Sequence, residues 1–252
     1  MPNNHFIIVG GMRCGSSYLA GLLDSHPEIC MAQPYIGSEP KFFLRKDINK
    51  MGYIDYYNEY FLSSNKSQIL GEKSVSYLER EDSPERIKSI VNNVKILIIL
   101  RNPVTRAISH YYYSKGNGLE KRTLIEAFQT LEDLSPSGEF DHISMPPFNY
   151  LSRGIYTPNV RRYISMFGKE NVHIEILENL SRKNPNSLSD IFRFLGIDTD
   201  FMPYGYGEKT NQSTPKNHVT PPRIIDDLQD FFAPHNSILS TELGLNLQFW
   251  GP

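Results

Sequence analysis

The residues best suited to chemistry lie in two clusters. The first is Gly10-Gly11-Met12-Arg13-Cys14-Gly15-Ser16-Ser17. Gly10 and Gly15 enclose four residues, the spacing of a phosphate-binding P-loop, whose pattern is G-x-x-x-x-G-K followed by Ser or Thr. Here Ser16 stands where that lysine belongs, and the only basic residue is Arg13, inside the loop. A glycine loop leading into a helix exposes backbone N–H groups, and the helix dipole adds partial positive charge at the same point. The geometry for holding a phosphate is present, while the usual apparatus for a triphosphate and Mg²⁺ is altered. A glycine turn that binds nothing is the competing reading. The second cluster is Arg101, Arg106 and Ser109, just after the apolar run Val94 to Leu100. In a P-loop nucleoside triphosphatase the corresponding strand ends in an acid that serves Mg²⁺. Arginine cannot ligate a metal, but it grips a phosphate with two donors. Ser109 lies one helical turn past Arg106 and shares its face. Two anion pockets and no metal ligand result, unless Arg101 is an ordinary surface ion-pair residue.

Both clusters require strands that deliver them to one end of a sheet. Phe6 to Val9 is a short, mostly β-branched run stopped by glycines, and reads as a buried parallel strand. Tyr18, Leu19, Leu22 and Leu23 then repeat at helical spacing. Further strands are expected at 28–32, 68–73 and 172–176, and Val94 to Leu100, the most apolar of all, is expected at the centre of the sheet. Helices are expected at 53–62, 83–92 (with Ser83 as N-cap and Pro84 in the first turn), 105–114, 121–134, 156–167, 187–195 and 222–232. Residues 41–44 are ambiguous between strand and turn; 135–147 and 201–220 read as loops. Strands alternating with helices predict an α/β fold: a three-layer parallel sheet flanked by helices, like that of P-loop nucleoside triphosphatases, in a single domain over 1–252.

The composition narrows the partners. A net charge of −2 excludes a globally basic nucleic-acid binder, so no nucleic acid is expected. Cys14 and Cys30 form no disulfide framework or zinc pattern. Arg13 beside Cys14 would favour a reactive thiolate, but no histidine follows at a recognisable position. No signal-like leader is visible, and no apolar run approaches the roughly 20 residues that span a bilayer. A cytoplasmic protein of a prokaryote-like cell, with no membrane span, is expected.

With both clusters in hand, the sequence resembles the 3′-phosphoadenosine 5′-phosphosulfate (PAPS)-dependent sulfotransferases, closest to their heparan-sulfate branch. FIIVGGMRCGSS resembles that family's 5′-phosphosulfate loop, with Arg13 in place of the usual lysine. SEPKFF, Ser38 to Phe43, resembles the segment that carries the general base, which maps onto Glu39. GEKSVSYL resembles the stretch with an active-site lysine, which maps onto Lys73. ILIILRNPVTRAISHYYY resembles the 3′-phosphate site, with Arg101 and Ser109 as ligands. Lys216 falls where the family has a basic loop over the donor. The resemblance runs from about Phe6 to Trp250, and is loose over 119–149 and 201–214. Lys41 replaces a residue that is often histidine.

What the resemblance implies is a metal-free, in-line sulfuryl transfer from the co-substrate PAPS to a hydroxyl or amine of a small natural product or carbohydrate. Glu39, Arg13 and Lys73 are then the catalytic residues. Gly11, Arg13, Cys14, Gly15, Ser16, Ser17, Arg101, Ser109 and Lys216 bind the donor. His110 is the competing base, since histidine has the better unperturbed pKa, but it projects about 100° from Ser109 on the same helix. Glu39 as a solvated loop carboxylate and Lys73 as a plain salt-bridge partner stay open. The alternatives in function are a P-loop-like nucleotide kinase and a non-catalytic adenosine-nucleotide binding protein.

Overall fold

Apolar runs buried on both faces are what a parallel sheet covered by helices demands. The computed structural model describes residues 4–33, 39–65, 68–133, 146–182, 184–207 and 219–251. Among them are the strands β1 (His5–Gly10), β2 (Ile29–Met31), β3 (Ile69–Lys73), β4 (Val94–Leu100) and β5 (Val172–Ile176). All pair in parallel, in the order β2-β3-β1-β4-β5. The helices are α1 (Ser16–Asp24), α2 (Tyr53–Tyr60), α3 (Ser83–Ile90), α4 (Pro103–Gly116), α5 (Leu124–Phe128), α6 (Thr157–Phe167), α7 (Leu177–Ser181), α8 (Pro185–Leu195) and α9 (Pro222–Leu243).

The fold class is as expected, with local corrections. β1, not β4, is the central strand: all six of its residues are buried, and it pairs with β3 on one side and β4 on the other. Apolarity alone cannot rank two strands that are both interior. Ser83 is the first residue of α3 rather than its cap, a position taken by Asp82. The helix expected over 121–134 is only α5, begun by a Thr123–Glu126 capping box. α9 runs well past Phe232 and through Pro234. α7 was not anticipated. Residues 42–44 form a 3₁₀ turn, and most of the loop expected over 135–147 lies outside the described residues.

The chain divides into two compact units, Met1–Leu100 with Asn159–Lys209, and Arg101–Pro158 with Thr210–Pro252. The first holds the sheet. Its core includes Phe6, Ile8, Leu19, Leu70 and Leu97, each at most 1% exposed. The second is organised around α4, whose Val104, Ala107, Ile108 and Tyr111 pack with Phe128, Tyr150, Leu228 and Phe232. Among the described residues, no helix is long and apolar enough to cross a membrane.

Candidate active site

The loop after β1 is shaped by its own backbone. Gly11 N–H donates to Ile99 O at 2.6 Å, tying the loop to β4, and Cys14 N–H turns back to Gly11 O at 3.1 Å. Gly15 occupies the N-cap of α1 with φ 87°, and no side chain caps the helix. The first-turn N–H groups, those of Ser16 and Ser17 among them, therefore have no intrahelical acceptor, which is the arrangement that suits an anion. Both glycines that frame the loop are required. A Cβ on Gly15 would lie 2.5 Å from Leu177 Cδ1, and one on Gly10 would lie 2.6 Å from Leu78 Cβ. Arg13 also adopts a left-handed backbone, φ 63°. The Cys14 side chain is fully buried, with its sulfur 3.7 Å from Met12 O, so it belongs to the floor of the loop.

Lys73 closes β3 and lies in register with Ile8 of β1, beside the strand that delivers the loop. Its Nζ is 3.2 Å from Glu39 Oε1, and the two side chains are only 14% and 16% exposed. Two residues distant in the sequence thus meet as a half-buried ion pair. The segment after Glu39 is held at several points. Lys41 N–H donates to Ser74 Oγ at 3.0 Å, Phe43 N–H donates to Tyr77 Oη at 3.3 Å, and Tyr60 Oη donates to Pro40 O at 3.4 Å. Phe42 and Phe43 are fully buried behind it.

In the second unit, Asn102 caps α4, its Oδ1 accepting from Val104 N at 2.9 Å and Thr105 N at 3.2 Å. Arg101 Nε donates to Thr105 Oγ1 at 3.0 Å, and its carbonyl accepts from Tyr156 Oη at 2.7 Å. Ser109 is 3% exposed and Arg106 is fully buried, its Nη2 donating to Tyr150 O. His110 is fully buried too. Arg153 Nη1 donates to its Nε2 at 3.2 Å, and its ring meets that of Tyr150 edge-on at 4.8 Å. Lys216 lies outside the described residues.

Sequence reasoning missed Glu72, Ser74, Tyr77 and Tyr156. Glu72 is fully buried and accepts from three hydroxyls, Tyr56 and Tyr77 at 2.6 Å each and Ser74 at 2.7 Å. Burial pushes its carboxyl above the usual carboxylate range. An acid in the buried middle of a short strand was the available signal, because such residues are rarely buried without partners.

With this geometry established, comparison with known proteins identifies the family. The model for the sulfotransferase domain matches residues 3–223. Heparan sulfate glucosamine 3-O-sulfotransferase 5 of Mus musculus is 27% identical over 248 residues, which cover 91% of this chain and 69% of that protein. The crystal structure of a sulfotransferase from Alicyclobacillus acidocaldarius superposes with a TM-score of 0.78 at 27% identity, covering 99% of both chains. A mouse sulfotransferase crystallised with PAP shares the fold at 18% identity and a TM-score of 0.54, over 97% of this chain and 88% of that one. With the family's domain matched over most of its length, the chain belongs to the PAPS-dependent sulfotransferases and is an enzyme of that family.

Proposed function

We propose that this enzyme transfers the sulfuryl group of PAPS to a hydroxyl, or an amine, of a carbohydrate or small natural product, with Glu39 as general base. The observation that carries this reading is the Glu39–Lys73 pair, 3.2 Å apart at the end of the strand next to the phosphate loop. In the reaction a bond forms between the acceptor heteroatom and sulfur, and the bond from sulfur to the 5′-phosphate oxygen breaks. The acceptor proton passes to the Glu39 carboxylate. Charge that grows on the departing phosphate is met by the first-turn N–H groups of α1, by Arg13 and by Lys73. Such preorganised donors are typically worth about 2.7–4 kcal/mol each in the transition state. Gly11, Cys14 and Gly15 shape the loop, and Ser16 and Ser17 supply its donors. Arg101 and Ser109 take the 3′-phosphate, and Lys216 joins them as a donor ligand on the resemblance. Arg101, at the position where a P-loop nucleoside triphosphatase has an acid that serves Mg²⁺, supports chemistry without a metal. The buried position of His110, with Arg153 donating to it, favours Glu39 as the base. The 3-O-sulfotransferase relative favours a saccharide acceptor. The domain match spans residues of both units, which supports reading 1–252 as one sulfotransferase domain.

The test is transfer of labelled sulfate from PAPS to a panel of saccharides and small hydroxylated or amino compounds, with wild type and Glu39→Gln. General-base catalysis is usually worth roughly 10²–10⁴-fold, and the variant is expected to lose that much turnover. Its affinity for adenosine 3′,5′-bisphosphate, measured by calorimetry, is expected to stay as in wild type. An active Glu39→Gln places the base elsewhere. Binding of ATP–Mg²⁺ in preference to the bisphosphate would instead mark a kinase-like site.

A further inference from the structure

Glu72 has no role in the transfer as described, yet it is the best-connected buried acid near the reacting pair. A carboxylate only accepts hydrogen bonds. The hydroxyls of Ser74 and Tyr77 therefore spend their protons on Glu72 Oε1, at 2.7 and 2.6 Å, and Tyr56 spends its proton on Oε2 at 2.6 Å. This leaves the lone pairs of Ser74 Oγ and Tyr77 Oη turned outward. They accept the N–H groups of Lys41 at 3.0 Å and Phe43 at 3.3 Å. Both N–H groups belong to the short segment that carries Glu39. The same carboxylate is rooted in β3 one residue before Lys73. Tyr77 is itself pinned through its carbonyl, which accepts from Tyr163 Oη at 2.9 Å. One buried group thus sets the direction of two hydroxyls, and these hold the chain segment of one partner against the strand of the other.

We propose that Glu72 is a positioning residue for the Glu39–Lys73 pair, acting through Ser74 and Tyr77 on the segment that carries Glu39. The inference rests on the reading of Glu39 as the base. Its function is to keep the carboxylate of Glu39 at the distance from Lys73 and the acceptor that proton removal requires. Misplacement of a reacting group by about 1 Å can cost on the order of 10²-fold in rate.

The experiment measures kcat, KM for donor and acceptor, bisphosphate affinity and melting temperature for Glu72→Gln, Ser74→Ala and Tyr77→Phe. It adds Glu39→Gln alone and Glu72→Gln in a Glu39→Asp background. The expected result is a kcat lower by about tenfold for each hydroxyl variant and by up to about 10²-fold for Glu72→Gln. Donor KM and bisphosphate affinity are expected to stay as in wild type. In the Glu39→Asp background, where the base is already displaced, Glu72→Gln is expected to cost little more, because coupled positions are not additive. Wild-type kcat in both Ser74→Ala and Tyr77→Phe overturns the proposal, whatever happens to the melting temperature. So do losses that multiply in the double variant. If Glu72→Gln does not fold, the two hydroxyl variants decide. An active Glu39→Gln defeats the underlying reading instead, so the two failures are distinguishable.

Discussion

In the proposed donor site, Arg101 is the residue whose geometry is most fully set in advance. Its Nε is bonded to Thr105 and its carbonyl to Tyr156, so the planar fork is oriented before any ligand arrives and little freedom is lost on binding. Hydrogen bonds to charged groups are worth about 1.5–3 kcal/mol, so Arg101→Ala is expected to weaken adenosine 3′,5′-bisphosphate binding by roughly 10- to 100-fold. Arg101→Lys should recover only part of this, because an ammonium keeps the charge and loses the fork. Calorimetric titration checks both, and an unchanged affinity in Arg101→Ala would remove the residue from the donor site. Arg101 and Ser109 could be named as candidates from the sequence because residue type and helical spacing are local properties. Glu39 and Lys73 could be named from resemblance, but their ion pair could not be derived from spacing. Glu72 was overlooked because nothing in ILGEK says which hydroxyls will surround its carboxylate.

At the scale of the element, the strand, loop and helix from His5 to Asp24 form one device. Gly15 sits at φ 87°, where an L side chain costs roughly 1–2 kcal/mol. A Cβ there would also press on Leu177 at 2.5 Å. Gly15→Ala is therefore expected to deform the loop and abolish measurable bisphosphate binding, with a lower melting temperature. Adding Leu177→Ala relieves the clash but not the backbone conformation, so partial rescue is the expected outcome. Full binding by Gly15→Ala alone would show that the loop shape is not needed. β1, α1 and β4 were legible from period and glycine punctuation. The length of α9 was not: Pro234 reads as a stop, since an interior proline costs about 3 kcal/mol. The structure carries the helix through it, with Leu228 and Phe232 buried on one side and Leu239 on the other. Packing offsets the broken turn, and no local signal announces that.

For the whole molecule, the acid response can be worked out from His5. It opens the central strand, is 1% exposed, and bonds to Tyr53 Oη at 2.9 Å. The rings of Tyr53, Tyr56 and Phe61 surround it at 5.4, 5.9 and 5.6 Å. Burial lowers its pKa from 6.5 to about 4. Between those values the unfolded chain binds a proton that the folded chain does not. The stability contribution is thus complete above about pH 6.5 and lost as pH falls toward 4. The shift corresponds to about 3 kcal/mol. Melting temperatures at about pH 7.5 and pH 5 are expected to fall further in wild type than in His5→Gln; equal falls would contradict the assignment. The sequence alone determined that an apolar strand, a glycine loop and a helix follow one another from Phe6 to Leu23, that an arginine rather than an acid follows Val94 to Leu100, and that strands and helices alternate. These follow from side-chain period, backbone freedom and charge, which act over a few residues. Only the tertiary structure decided that β1 is central, that Glu39 meets Lys73, and that a buried Glu72 orders the hydroxyls beneath them. Those depend on which strands pair and which loops return, and the free energy that selects them is shared by residues far apart in the chain.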